Sequence, residues 1–228
     1  MSGDGEAKGF SLNLLTKGPS QRLFVPAVKL FWSSVWKLMV NELAPHDSEG
    51  RFVRDYSKDS CVTQPYSSLR SDHEYRLYLG NPCPWCHRVF VALALMDMPN
   101  VKVTKLVANA AKASKGGWVL PGPPDECASE GDEPLPTDLA GIYSYFSGGE
   151  YKGRSTAPLL VDTTTSKLVS NESNDILLLL NSNSADIDLR PAELVNDIDK
   201  ANDFYYRNLQ NGVYRCGFST SQKAYGEC

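Results

Sequence analysis

The 228-residue sequence has nothing approaching the run of about 18 or more apolar residues that a membrane-spanning helix needs. Its longest apolar-leaning stretches, near Phe31 to Val40 and Val89 to Met96, are broken by Lys37 or are too short. Positive charge is scarce as well. A formal net charge of −4 and a pI near 5.4 argue against a nucleic-acid partner, which would call for a basic face. The amino terminus, MSGDGEAKG, has no basic region followed by an apolar core, so no secretory signal is expected. Asp4 and Glu6 also count against an intact organelle transit peptide, a class poor in acids. The 6 cysteines (61, 83, 86, 127, 216 and 228) are too sparse and irregular for a secreted disulfide scaffold, which points to a reducing compartment. There is no second Cys-x-x-Cys and no His pair to complete a zinc site around Cys83 and Cys86, so no metal is expected.

What is present is an ordinary globular composition, 42% hydrophobic and 22% charged, enough to bury a core without covalent staples. Residues 1 to about 25 are polar and Gly-rich. Leu30, Trp36, Leu38, Met39 and Leu43 lie in a segment expected to form an amphipathic helix ending before Pro45. From Tyr75 the pattern changes. Tyr75–Leu79 reads as a strand stopped by Gly80-Asn81-Pro82, and Cys83–Met96 then carries apolar residues at helical spacing. Val101–Val107 alternates as a second strand, so strand, helix and strand fit within about 33 residues, the size of a βαβ unit. Residues 111–150 read as loop-dominated. Ala157–Asp162 and Lys167–Val169 follow as paired strands, and Ser170–Ser173 offers capping side chains to a helix through Ile176–Leu180. Polar residues 181–190 look like a linker, and helical spacing resumes from Pro191 to near Gly212. This order predicts an α/β thioredoxin-like domain followed by an all-α domain.

Three features carry chemistry. Cys83 opens a helix directly after a strand, where free backbone N–H groups and the positive end of the helix dipole favour a thiolate. The Cys-x-x-Cys spacing of Cys83 and Cys86 lowers a thiol pKa further. Pro158 stands just before an apolar strand, the place where thioredoxin-like folds put a cis-proline opposite the cysteine. Ala157 is then free to pair strand-fashion with a bound peptide. Glu172 and Ser173, at a helix start, match the ammonium and carboxylate of the γ-glutamyl end of glutathione. A lone Glu-Ser would read as an ordinary capping pair; the other two features tip it toward ligand binding. Arg154 and Trp118 are further candidates for the glycyl or backbone region of glutathione, with a surface charge and a loop anchor as the alternatives.

These residues together resemble the glutathionyl-hydroquinone reductases, the Xi class of glutathione transferases, and in particular their plant-type members. The matching stretches are Glu42-Leu43-Ala44-Pro45, NPCPWCHR (81–88), GGW (116–118), GRSTAPLLVD (153–162), SNESNDI (170–176) and NGVYRCGF (211–218). The resemblance implies a thioredoxin-like glutathione-binding domain over 42–182 after an extension at 1–41, a linker at 183–190, and an incomplete glutathione-transferase-type helical domain over 191–228. It implies glutathione as co-substrate and aromatic glutathionyl conjugates as partners, with Cys83 as nucleophile and Tyr206 near the aromatic ring as proton donor. For Tyr206 a place at a helix interface is the alternative. Many members carry alanine where this chain has Cys86, which makes Cys86 a candidate resolving thiol of the dithiol glutaredoxin kind. The family also implies further helices and a homodimer contact. Their absence from 228 residues leaves a non-catalytic glutathione-binding fragment as a third reading. The expected compartment is cytoplasm or plastid, not the secretory route.

Overall fold

The computed structural model describes residues 25–35, 44–53, 60–61, 68–121 and 136–228, which fall into two compact units. The first holds the described residues between 60 and 198. The second holds 25–35, 44–53 and 199–228. None of the helices described is long and apolar enough to cross a membrane.

The first unit is a five-stranded sheet in the order β3-β2-β1-β4-β5. β1 (Tyr75–Gly80) runs parallel to β2 (Val101–Ala108), with Tyr75 opposite Val101 and Gly80 opposite Leu106. Helix α2 (Pro84–Leu95) crosses between them; α1 is the 25–35 helix of the other unit. β3 (Trp118–Val119) pairs antiparallel with β2. β4 (Leu159–Asp162) pairs antiparallel with β1 and with β5 (Lys167–Ser170). Helix α4 (Ser173–Asn183) follows β5.

The period-2 alternation of a strand divides the core into two faces. Leu77, Leu79 and Leu160 point to one face and meet Cys86 and Val89 of α2 and Ile176, Leu179 and Leu180 of α4. Tyr78, Leu159 and Val161 point to the other, where they meet Leu139, Ile142, Tyr143 and Phe146. Those four belong to α3 (Leu139–Phe146), inside the stretch that the sequence reading made a loop. Their i, i+3, i+4, i+7 spacing is that of a one-sided helix, and Asp138 caps it by accepting from the Gly141 N–H at 2.9 Å. The neighbouring Pro- and Gly-rich stretch had hidden an eight-residue helix. α4 also runs to Asn183, past the expected start of the linker, and Trp118 is a strand residue.

The second unit contains the end of α5 (Val195–Tyr205), a π-helical turn (Tyr206–Gln210), α6 (Gly212–Phe218) and α7 (Gln222–Gly226). Residues 44–53 pack here, although the sequence reading joined them to the sheet. His46 Nε2 lies 2.6 Å from the Phe218 carbonyl, the Thr220 N–H donates to the Gly50 carbonyl at 2.9 Å, and Arg51 pairs with Glu227 at 2.6 Å. This polar segment has turn residues and no alternating apolar face, so it finds partners at helix ends. Of the expected Leu30–Leu43 helix, 25–35 is helical and exposed, while Trp36, Leu38, Met39 and Leu43 lie outside the described residues, as do Glu42, Cys127 and the polar segment 1–24.

Candidate active site

Antiparallel pairing brings the carboxyl end of β1, the amino end of β4 and the carboxyl end of β5 to one edge of the sheet. Leu159 lies opposite Tyr78, and Ser170 opposite Leu160. The segments continuing from these ends carry Cys83, Ala157-Pro158 and Glu172-Ser173. Residues separated by about 90 positions in sequence therefore converge through topology alone.

Cys83 is the N-cap of α2, in an extended conformation (φ −92°, ψ 114°), with Pro84 in the first turn, where its missing N–H is not needed. Its backbone is pinned by Cys83 N–H to Gly80 carbonyl at 3.1 Å and His87 N–H to Cys83 carbonyl at 3.0 Å. The Cys86 N–H points at the Cys83 sulfur from 3.4 Å, which favours the thiolate. The Ala157 carbonyl, 3.5 Å from that sulfur, accepts from the neutral thiol and opposes the amide. Cys86 is only 2% exposed. Its thiol is hydrogen bonded to Cys83, and this bond, with burial, holds its pKa far above the ordinary thiol range, against the Gly80 N–H at 3.3 Å that favours ionisation. Cys86 thus stays protonated and donates to Cys83, a third stabiliser of negative charge on the outer sulfur.

The Ala157–Pro158 peptide bond is cis. Ala157 is half-buried and Pro158 is buried. Glu172, a half-buried residue, is the N-cap of α4 but makes no side-chain capping bond; its N–H donates to Ser170 Oγ at 3.1 Å. Ser173, the first residue of α4, is buried. An N-cap carboxylate that does not fold back onto its own helix is not the ordinary capping arrangement. Trp118 lies against Gly80, where any Cβ would run into the indole ring. That contact explains the glycine at the end of β1. Gly116, at φ +90°, lies so close to the Ser155 carbonyl that a Cβ would collide with it. Arg154 is exposed, and its carbonyl accepts from the Thr156 N–H at 2.9 Å. Tyr206 belongs to the other unit, on the π-helical turn, with its hydroxyl buried.

Three residues near this edge escaped the sequence reading. Tyr143 donates to the Thr156 carbonyl and Tyr151 to the Arg154 carbonyl, each at 2.8 Å, and the two rings stack at 4.6 Å. Asn171 is 5% exposed and accepts from the Cys61 N–H at 3.1 Å. Burial pushes the Cys61 thiol up to about 12, against the backbone N–H groups of Cys61 and Asn171, which favour the thiolate. A cavity of about 750 Å³ opens beside Cys61, Phe146, Tyr151 and Lys167, and is lined by none of the site residues expected from sequence. A hollow of about 120 Å³ between Asn81, Cys86, His87, Phe90 and Lys105 is lined by Cys86 and not by Cys83.

Residues 82–183 match the family of glutathione S-transferase N-terminal domains. The glutathionyl-hydroquinone reductase PcpF of Sphingobium chlorophenolicum is 36% identical over 191 residues, covering 79% of this chain and 57% of that protein. The crystal structure of the glutathione S-transferase Xi from Phanerochaete chrysosporium resembles it with a TM-score of 0.61 at 27% identity, over 80% of this chain and 60% of that one. The glutathione-bound structure of YqjG, a glutathione transferase homolog from Escherichia coli K-12, does so with a TM-score of 0.57 at 27% identity, over 76% and 59%. The chain therefore spans somewhat under two thirds of the length of these relatives. With its thiol-bearing helix start, its proline loop and its domain match in agreement, residues 82–183 form a glutathione S-transferase N-terminal domain, in a chain similar over most of its length to Xi-class glutathione transferases.

Proposed function

We propose that the chain is a glutathione-dependent reductase of glutathionyl-hydroquinones in which Cys83 is the nucleophile. The observation that carries this reading is the Cys83 sulfur at the α2 N-terminus, 3.5 Å from the Ala157 carbonyl of the proline loop. Glutathione binds with its γ-glutamyl ammonium at Glu172. Its γ-glutamyl carboxylate meets Ser173 and the first-turn N–H groups of α4. Its cysteinyl backbone pairs with Ala157 as an added strand residue beside Pro158. Trp118 and Arg154 are assigned to the glycyl and backbone region.

In the first step the Cys83 thiolate attacks the glutathione sulfur of the conjugate. An S–S bond forms and the S–C(aryl) bond breaks; its electron pair passes to the aryl carbon, which takes a proton and leaves as hydroquinone. Tyr206 is the proposed donor. In the second step a glutathione thiolate attacks the glutathione sulfur held on Cys83. Glutathione disulfide departs and the Cys83 thiolate returns. Two electrons are thus supplied by two glutathione sulfurs, and no metal is required.

A dithiol route through Cys86 is the second reading, favoured by the hydrogen bond between the two thiols. Burial and a raised pKa make Cys86 a slow attacking group, so the monothiol route is preferred. The test is release of hydroquinone from a glutathionyl-hydroquinone, with mass spectrometry of the Cys83 mixed disulfide. Cys83→Ser is expected to lose about 10³-fold or more in turnover. Cys86→Ala is expected to keep turnover within about threefold, the loss of one thiol donor. A wild-type chain that reduces a glutathionylated peptide but leaves the aromatic conjugate intact would sink the first reading in favour of the second. Binding of glutathione without any turnover would leave only a binding module.

A further inference from the structure

The two halves of the proposed glutathione cradle come from distant parts of the chain, the proline loop and the α4 N-terminus. We infer that Asn171 is a positioning residue that ties these halves together and so sets the selectivity of the site for glutathione over smaller thiols. This inference rests on the proposed function and deepens it.

Asn171 directly precedes Glu172, and its buried side chain reaches across to the proline loop. Its Oδ1 accepts from the Cys61 N–H at 3.1 Å, which fixes the amide orientation and turns Nδ2 toward the loop. Nδ2 lies 3.5 Å from both Tyr151 Oη and Thr156 Oγ1, a shared donor between two acceptors. Thr156 is also held from the other side by Tyr143, at 2.8 Å, and is followed at once by Ala157. The Tyr143–Tyr151 stack supports this grip from beneath. A shift of Thr156 therefore moves the Ala157 carbonyl relative to both Cys83 and Glu172.

None of these four side chains belongs to the proposed set of ligand contacts, yet together they fix the gap that the ligand spans. A tripeptide with a γ-glutamyl end needs that gap, because it engages Ala157 and the α4 terminus at once. A small thiol such as 2-mercaptoethanol meets only the sulfur. Cys83 owes its activation to α2 and Cys86, and the Ala157 carbonyl opposes it, so loosening the gap does not lower the thiol's intrinsic reactivity.

The experiment compares wild type with Asn171→Ala and Tyr143→Phe. It measures glutathione affinity, the rate at which glutathione or 2-mercaptoethanol reduces a Cys83 mixed disulfide with 2-mercaptoethanol, which leaves the gap open, and Cys83 alkylation by iodoacetamide. Asn171→Ala, which loses three contacts, is expected to weaken glutathione binding about 10-fold, and Tyr143→Phe, which loses one, about 3- to 5-fold. Both should leave alkylation and reduction by 2-mercaptoethanol within about twofold of wild type. Tyr143→Phe removes a single hydroxyl and keeps the test open if Asn171→Ala fails to fold. Unchanged glutathione affinity in the folded variants, or a parallel loss toward both thiols and iodoacetamide, overturns the inference. A wild-type chain that binds no glutathione overturns the functional reading itself, and the two failures are told apart by the wild-type measurement alone.

Discussion

The sheet unit and the unit of C-terminal helices are held by different forces. In the first, Leu77, Leu159, Leu160, Ile176 and Leu180 are wholly buried, between a helix pair on one face and α3 on the other. In the second, only Ala44, Gly212 and Ala224 are buried among the described residues, whereas Phe204, Leu209, Val213 and Tyr225 are each more than half exposed. Its cohesion comes from groups near water: Arg51 with Asp47, Glu49 and Glu227, Lys223 with Glu49, and His46 on the Phe218 carbonyl. Apolar burial is roughly proportional to area and indifferent to salt, while exposed ion pairs are individually weak and screened. The proposed nucleophile sits on the unit with the buried core, as a group that must be held within a fraction of an ångström requires.

That contrast can be broken from its strong side first. Leu160→Ala empties a site between β1 and β5 and is expected to cost about 2–5 kcal/mol in urea melts, a core-cavity loss. A cost below 1 kcal/mol would mean that the sheet core is not what holds this unit. Next comes acid. Burial pushes the Asp162 carboxyl up, but the Thr165 N–H and the His73 ring, 2.6 Å away, outweigh it and hold the pKa below the usual value. A carboxyl depressed on folding stabilises fully above its unfolded pKa of about 3.9 and loses that contribution as pH falls through the folded value. The stability gap between wild type and Asp162→Asn should therefore be full above about pH 5 and close as pH falls below about 4. A gap independent of pH would show that the fold does not hold the Asp162 carboxyl below its usual value.

Salt addresses the other unit. At about 1 M salt, where screening acts over about 3 Å, hydrogen exchange at Arg51, Val53 and Thr220 should quicken two- to threefold. Leu77 and Leu160 amides should not change; equal responses would erase the distinction. The smallest effect is expected for Val213→Ser, at a side chain 65% exposed, with stability within about 0.5 kcal/mol of wild type. A larger loss would reveal that this face is covered in solution.

Much of the sheet unit was legible from spacing alone. The strand at Tyr75, the helix behind Cys83 and the strand from Val101 all stand within a residue or two of their expected limits, because each has a clean period and a Gly, Pro or Cys boundary. The same locality made the Cys83 environment readable. Helix α3 was not read, although Leu139, Ile142, Tyr143 and Phe146 carry a full helical period, since eight residues beside a Pro-rich stretch give few turns to count. The polar back wall of the proline loop was beyond reach for a different reason. Tyr143, Tyr151, Thr156 and Asn171 meet only after the sheet has folded, and nothing in their separate neighbourhoods marks them as partners. For Glu172 the residue type suggested a ligand, and the absence of a side-chain cap bond is a detail of conformation that no spacing encodes.

The indole of Trp118 rests on Gly80, whose N–H meets the Cys86 sulfur and whose carbonyl takes the Cys83 N–H. Trp85, between the two cysteines, packs into the same cluster. The chain thus carries two fluorophores within a residue or two of its thiols. Ultraviolet emission from the unlabelled protein would be a clock for the proposed redox cycle, dimming or shifting if Cys83 gains and sheds its partner, with no dye and no foreign atom in the site.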